Sequence, residues 1–186
     1  MITVAIPYFE SDSGKREILN RCVRSLKGQD NIFILAGKQA SLPLAWNICL
    51  ELAFGMGSDF VILSNDDIEL DKGTLDMLCD EDAIVSPTVN NGVYKIFHAH
   101  IFSYPKKIYE KIGKFDERFE IYWADTDLAK RFVDAGIDVR INEAVNVKHP
   151  EGARTLKHYH GTTEFSDEMR FKEKWGRTWF DPVRGK

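Results

Sequence analysis

Short apolar runs alternate with helix-periodic stretches along the first third of the chain. That alternation restricts the fold more than any other feature. Residues 2–6, 32–35 and 60–63 are brief, continuous and apolar, as expected of strands buried on both faces of a sheet. Between the first two, Ile18, Leu19, Cys22, Val23 and Leu26 recur at helical spacing within residues 15–26, and Gly28 follows as a stop signal. Between the second and third, Ser41 is placed to cap a helix whose first turn holds Pro43. That helix carries Trp46, Cys49, Leu50 and Ala53 and ends at Gly55/Gly57. Pro7 is expected to halt the first strand and open a loop at its carboxyl end. Strand–helix alternation of this kind argues for a parallel sheet with helices on its faces.

After Asp67 the pattern changes. A short helix near 72–79, a strand over 83–87 and a longer strand over 93–104, interrupted by Pro105, are expected. A turn-rich connection over 112–119 leads to a helix over 125–135. That helix has acids at its start, Leu128 and Phe132 on one face, and Gly136 as terminator. Short strands at 137–141 and 145–147 and a helix at 164–175 complete the reading. With 186 residues, 44% of them hydrophobic, the chain is expected to form one domain with a substantial core. The expected class is α/β: a mostly parallel, Rossmann-like sheet flanked by helices, with a smaller antiparallel portion in the C-terminal half.

Charge and cysteine usage narrow the setting. The net charge is −4, yet the stretch from Asn146 onward carries nine Lys/Arg against six Asp/Glu. Such a segment is a solvated surface or a cover for a diphosphate. Cys22, Cys49 and Cys79 lie in apolar segments without CxxC spacing, so they read as reduced core residues of a cytoplasmic protein, not a disulfide frame or zinc site. No apolar run approaches membrane-spanning length and no signal segment is recognisable. Neither an integral membrane segment nor secretion is expected.

The chemistry concentrates at three places. The strand over 60–63 stops abruptly at Ser64-Asn65-Asp66-Asp67, and open α/β sheets hold ligands at the carboxyl ends of their strands. Adjacent carboxylates repel. Asp66 and Asp67 are either turn residues or ligands to a hard divalent cation, Mn²⁺ or Mg²⁺, bridging to an anion. Asp125 and Asp127 open a helix just after Tyr122 and Trp123. Capping is the ordinary role for such acids, and is the preferred one for Asp127. The two aromatics stack on a sugar or belong to the core. His149 stands before Pro150 at a strand end. Further along the list of polar groups, His98 and His100 share one strand face, as an acceptor wall, a second metal site or a polar sheet surface. Lys148, Arg154, Lys157, His158 and His160 form a basic loop that contacts phosphate or solvent.

The order of these pieces resembles the family 2 glycosyltransferases of the GT-A fold, over nearly the whole chain. Ile2-Thr-Val-Ala-Ile-Pro-Tyr is similar to their opening strand and nucleotide loop, and Leu63-Ser-Asn-Asp-Asp-Ile-Glu-Leu to their DxD-type segment. Trp123-Ala-Asp-Thr-Asp-Leu-Ala-Lys-Arg resembles their Glu-Asp-x-Asp-Leu-x-x-Arg helix. Val147-Lys-His-Pro-Glu-Gly resembles the stretch with their late His. The resemblance implies a single GT-A-like domain, with a nucleotide-binding half over about 1–86 and an acceptor and catalytic half over about 87–186. It places the catalytic base at Asp125 and metal ligands at Asp67 and His149. It assigns Pro7, Tyr8, Phe9, Gly37 and Lys38 to the nucleotide-sugar donor, together with Asn47, Asn65 and Asp66. A UDP-sugar is favoured as the donor, with the nucleobase and the sugar left open. The acceptor is left open among modified DNA, protein, lipid and glycan.

Departures from the family pattern leave rivals standing. Ala124 replaces an acid, Asn65 replaces the first acid of a strict DxD, and Ala36-Gly37-Lys38 lacks the acid that commonly reads the nucleobase. A non-catalytic nucleotide-sugar-binding module uses the same residues without turnover. A nucleotidyltransferase would share the acid pair, but Tyr8-Phe9-Glu10 is poor material for a triphosphate loop.

Overall fold

The computed structural model describes residues 1–10, 14–26, 28–29, 31–37, 39–92, 97, 99–149 and 162–176. In chain order the elements are β1 (Ile2–Tyr8), α1 (Lys15–Ser25), β2 (Ile32–Ala36), α2 (Leu42–Gly55), β3 (Phe60–Ser64) and β4 (Glu69–Lys72). They continue through β5 (Ala83–Val89), β6 (Ile101–Pro105), α3 (Lys106–Ile112), α4 (Ala124–Asp134), β7 (Asp138–Lys148) and α5 (Thr162–Trp175). Single 3₁₀ turns occupy Leu75–Leu78 and Asn90–Gly92.

One 7-stranded sheet runs in the order β2-β1-β3-β6-β5-β7-β4. The β1–β2, β1–β3 and β5–β7 pairs are parallel, whereas β3–β6, β5–β6 and β4–β7 are antiparallel. The sheet is therefore mixed, not mostly parallel. Loop length explains part of this: only residues 65–68 separate β3 from β4, far too few for the crossover of a dozen or more residues that parallel neighbours need. β4 instead pairs at the far edge with β7.

Alternation along the strands splits the interior into two layers. Ala5, Val61 and Leu63 face α2 and α4, packing with Trp46, Phe102, Tyr104, Phe115 and Phe132. Val4, Ile6 and Ile62 face the other way, onto Leu19 and Cys22 of α1, Leu26 just after it, and Ile68, Leu75 and Val147. The buried thiols of Cys22 and Cys49 are both pushed up to about 12 by burial, Cys22 with added repulsion from Asp66 and Asp67. All three cysteines are free, as packing residues should be.

Several local expectations change. β1 continues through Pro7 to Tyr8, because Val4 N bonds Asn31 O and Tyr8 O accepts from Gly37 N, so even-numbered residues face β2. Pro7, lacking an N–H, points toward β3, whose pairing with β1 ends at Ala5↔Leu63. β7 is one strand, not two. Its register against β5 jumps from Pro87↔Asn142 to Thr88↔Asn146, so the polar interruption at 142–144 is an irregularity inside a strand. The expected helix near 72–79 is only the short 3₁₀ turn, preceded by the unforeseen β4; α3 was also unforeseen. Of the long strand expected over 93–104, residues 101–105 form β6, and residues 93–96 and 98 lie outside the described residues.

Gly73, at φ +82°, links β4 to the 3₁₀ turn under the irregular part of β7. A Cβ there would lie 2.7 Å from Ala144 O and 3.0 Å from Val145 Cα. Backbone cannot swing aside as a flexible side chain can, and the φ itself disfavours any L side chain. Gly73→Ala is expected to destabilise the protein by more than about 1 kcal/mol in chemical denaturation.

Candidate active site

The carboxyl ends of β1 and β3 open into a cleft of about 260 Å³. β1 brings Pro7 and Tyr8, with Phe9 just beyond it, and Gly37 follows the end of β2. The turn after β3 brings Asn65, Asp66 and Asp67, and the segment before β6 brings Ala99 and His100. Ile121, Tyr122 and Trp123 just before α4, Asp125 in its first turn and His149 just beyond β7 complete the lining. Residues of both halves of the chain thus line one cavity.

Within it, Asp67 Oδ1 lies 3.3 Å from His149 Nε2, although the two residues are far apart in sequence. The atoms are close enough to pair but not aligned as a hydrogen bond, and among the described residues no donor bonds the buried Asp67 Oδ1. Burial pushes the Asp67 carboxyl up, but His149, Lys15 and His100 outweigh it and hold the group below the usual value. Asp66 differs. Burial raises its pKa despite a 2.7 Å contact with the buried Lys15 ammonium, which opposes the rise. The adjacent carboxylates are thereby driven in opposite directions, with Asp67 the more readily ionised of the two.

His149 is held at its backbone. Its N–H donates to Asn90 Oδ1 (2.9 Å) and its carbonyl accepts from Asn90 Nδ2 (3.0 Å), so one side-chain amide replaces the neighbour that a strand end lacks. The imidazole stacks on that of His100, with ring centroids 4.0 Å apart, and His100 Nδ1 lies 3.3 Å from Asn65 Nδ2.

The part of the lining around the start of α4 depends on two buried carboxylates. Asp167, fully buried on α5, accepts from the backbone N–H groups of Glu120, Ile121 and Tyr122 at 3.0–3.1 Å and from Arg170 Nη1 at 2.6 Å. Trp123 then takes a left-handed conformation (φ 64°), an outlier for a bulky residue. Its ring rests 5.1 Å from that of Phe171. Asp127 is not the helix cap that its position suggested. It is buried and accepts from Trp175 Nε1 (2.8 Å), Arg131 Nε (3.1 Å) and Lys174 Nζ (2.7 Å), which fastens α5 to α4. Asp125 is half-buried at the cleft. Its Oδ1 accepts from Thr126 N at 2.8 Å, while Oδ2 has a longer contact, 3.5 Å, from Ala99 N.

Of the residues singled out in the sequence, the structure gathers Pro7, Tyr8, Phe9, Gly37, Asn65, Asp66, Asp67, Asp125 and His149 in this cleft. Asn47 is not among its lining residues. Its side chain donates to Phe115 O and Glu117 Oε1 and accepts from Phe115 N, clasping α2 to the segment before α4. Lys38, His98, Arg154, Lys157, His158 and His160 lie outside the described residues. Lys148 pairs with Asp71 at 2.9 Å. The cleft also includes residues that sequence reasoning left out of the donor set, Trp46, Gln39 and Ile121 among them. Trp46 had registered only as part of an apolar helix stripe.

The side chains present suit a hard divalent ion. A buried carboxylate held below its usual pKa beside an imidazole offers two ligands and leaves the remaining positions to water or phosphate oxygens. Among the described residues there is no group of three or more His, Cys, Asp or Glu that could hold a metal by itself.

No model of a known protein family matches the sequence, and no curated protein sequence matches it. Solved structures do. The mannosyltransferase PcManGT from Pyrobaculum calidifontis, in complex with GDP-Man and Mn²⁺, is similar over 91% of this chain at 13% identity and a TM-score of 0.56. The match spans 64% of that protein, so this chain corresponds to less than two thirds of its length. S. aureus TarS is similar over 92% of this chain and 42% of its own, at 12% identity and a TM-score of 0.57. A glycosyltransferase involved in glycosylation of the major capsid of PBCV-1 is similar over 84% of this chain and 96% of its own, at 9% identity and a TM-score of 0.55. Among the described residues no helix is long and apolar enough to cross a membrane. The α/β domain, with its mixed sheet and its cleft at the strand ends, has the fold of these glycosyltransferases.

Proposed function

We propose that the protein is a metal-dependent, inverting glycosyltransferase that moves a sugar from a nucleotide-sugar donor to an acceptor hydroxyl. The observation that carries this reading is the meeting of Asp67 and His149 at 3.3 Å in a cleft that Asp125 also lines. Such a reaction needs an anchor for a departing diphosphate on one side of the anomeric carbon and a base on the other.

Asp67 and His149 would hold Mn²⁺ or Mg²⁺. When bound, the ion supplies Lewis-acid stabilisation of the charge that develops on the leaving diphosphate. The chain's own groups do the rest. The nucleotide lies against Tyr8, Phe9 and Gly37, in the half over 1–86. Asp66, with one oxygen on Lys15, lies beside the metal pair and orients the ribose or assists at the ion. Asp125 takes the proton from the acceptor hydroxyl as its oxygen bonds to the anomeric carbon. The bond from that carbon to the diphosphate oxygen breaks, and the configuration inverts. Tyr122 and Trp123 form the wall against which the sugar or acceptor packs.

The expected UDP-sugar shares standing with GDP-sugars, since the similar mannosyltransferase was captured with GDP-Man. The acceptor is a hydroxyl-bearing modified DNA, protein, lipid or glycan. Calorimetric titration of UDP- and GDP-sugars with and without Mn²⁺ tests the reading. Asp67→Ala is expected to abolish the metal-dependent part of donor binding, and undiminished Mn²⁺-dependent affinity in that variant would remove Asp67 from the role. Slow Mn²⁺-dependent donor hydrolysis by the wild type separates a transferase from a module that only binds.

A further inference from the structure

Among the described residues, four buried side-chain polar atoms lack a hydrogen-bond partner: Tyr8 Oη, Trp46 Nε1, Asp67 Oδ1 and Thr88 Oγ1. Three of them belong to residues lining the cleft. Asp67 already has a role in the proposed metal pair. Burial, reinforced by Glu10, raises the pKa of Tyr8, and nearby Arg16 opposes that rise, so its phenol has a charged neighbour to answer to. Trp46 is different. Its indole N–H can only donate, it is 3% exposed, and no acceptor among the described residues meets it. A buried donor left unsatisfied weakens the folded state, and an oxygen supplied by a ligand would relieve that cost.

Position indicates which part of the ligand supplies the oxygen. Trp46 belongs to the packing layer that contains Ala99 and Ala124, and its ring lies 4.6 Å from that of Phe115. Ala99 N contacts Asp125 Oδ2, and Ala124 precedes Asp125 on α4. Tyr8, which ends β1 on the nucleotide side, packs in the opposite layer. Trp46 thus lines the same cleft as Asp125 and shares a packing layer with Ala124, the residue just before it. The group transferred between the diphosphate anchor and Asp125 is the sugar.

We infer that Trp46 is a specificity-determining residue whose Nε1–H donates to a hydroxyl oxygen of the transferred sugar. This inference rests on the transferase reading of the cleft. A sugar hydroxyl placed there accepts the indole proton and keeps its own for another partner. A sugar without an oxygen at that position leaves the N–H unsatisfied and binds more weakly.

The test compares each nucleotide sugar with its own nucleoside diphosphate, using UDP-glucose against UDP and GDP-mannose against GDP, on the full chain and on Trp46→Phe. With Mn²⁺ present, the variant is expected to bind the nucleotide sugar about two- to tenfold more weakly. Its affinity for the nucleoside diphosphate should be unchanged. In ¹⁵N-labelled wild type, with Mg²⁺ in place of paramagnetic Mn²⁺, the Trp46 indole N–H resonance should move downfield with the nucleotide sugar and not with the diphosphate. It is identified by its loss in Trp46→Phe. Equal weakening of both ligands, or an unmoved resonance in a saturated wild-type complex, overturns the assignment while leaving the transferase reading intact. If the wild type binds neither nucleotide sugar, the reading beneath it fails, and the inference with it.

Discussion

Asp125→Asn is expected to lower turnover by about 10²–10⁴-fold, the range over which a positioned general base contributes. The substitution is nearly isosteric. Its amide oxygen can still accept from Thr126 N, as Asp125 Oδ1 does at 2.8 Å, so the first turn of α4 should keep its shape. What is lost is the capacity to take a proton. Asp67 and His149 are untouched, so Mn²⁺-dependent donor affinity should stay within about twofold of wild type. The measurement is kcat for sugar transfer alongside calorimetric donor binding. Wild-type turnover in the variant would remove Asp125 from the role. Unchanged kcat with weakened donor binding would move it to the donor site instead.

Asp167→Ala is expected to be the most destabilising single change considered, costing about 3–5 kcal/mol, as removal of one partner from a buried charged network does. Deleting this carboxylate leaves the N–H groups of Glu120, Ile121 and Tyr122 and the Arg170 guanidinium without their shared acceptor. These consecutive donors converge on a fully buried group, so water cannot readily replace it. Asp167→Asn retains one acceptor oxygen but turns the other position into a donor facing donors, so it should fall between alanine and wild type. Urea denaturation reads both variants. A loss below about 1 kcal/mol for alanine would mean that the loop is held by packing alone. The same anchor explains how Trp123 sustains a left-handed backbone at the cleft: the chain immediately before it is fastened at every N–H.

How far the residues announced this arrangement depended on the range of the interaction. The early strands and helices were legible because apolar spacing and helix-end signals act within a few residues. Ser41 does cap α2, with its side chain accepting from Leu44 N, as its place before Pro43 suggested. β7 and β5 were harder to delimit, since pairing carries a strand through Asn142–Ala144 and through Pro87, where local propensity says stop. Asp127 was misread for a similar reason. Its partners Lys174 and Trp175 lie on α5, and nothing in a helix-start pattern reveals a distant indole N–H. Asn47, assigned to the donor by resemblance, is consumed by Phe115 and Glu117, contacts equally remote in sequence.

The amino-acid sequence by itself determined the alternating elements, the acid pair at the end of a buried strand, and the order of the acidic and histidine landmarks. Each of these is a matter of neighbouring side chains and their burial. Only the tertiary structure decided that the sheet is mixed, that Lys15 claims Asp66 while His149 reaches Asp67, and that the indole N–H of Trp46, in the cleft lining, has no partner among the described residues. Those outcomes depend on which distant strand ends meet, and there the loss of chain entropy on closing long loops is set against the burial gained across the sheet.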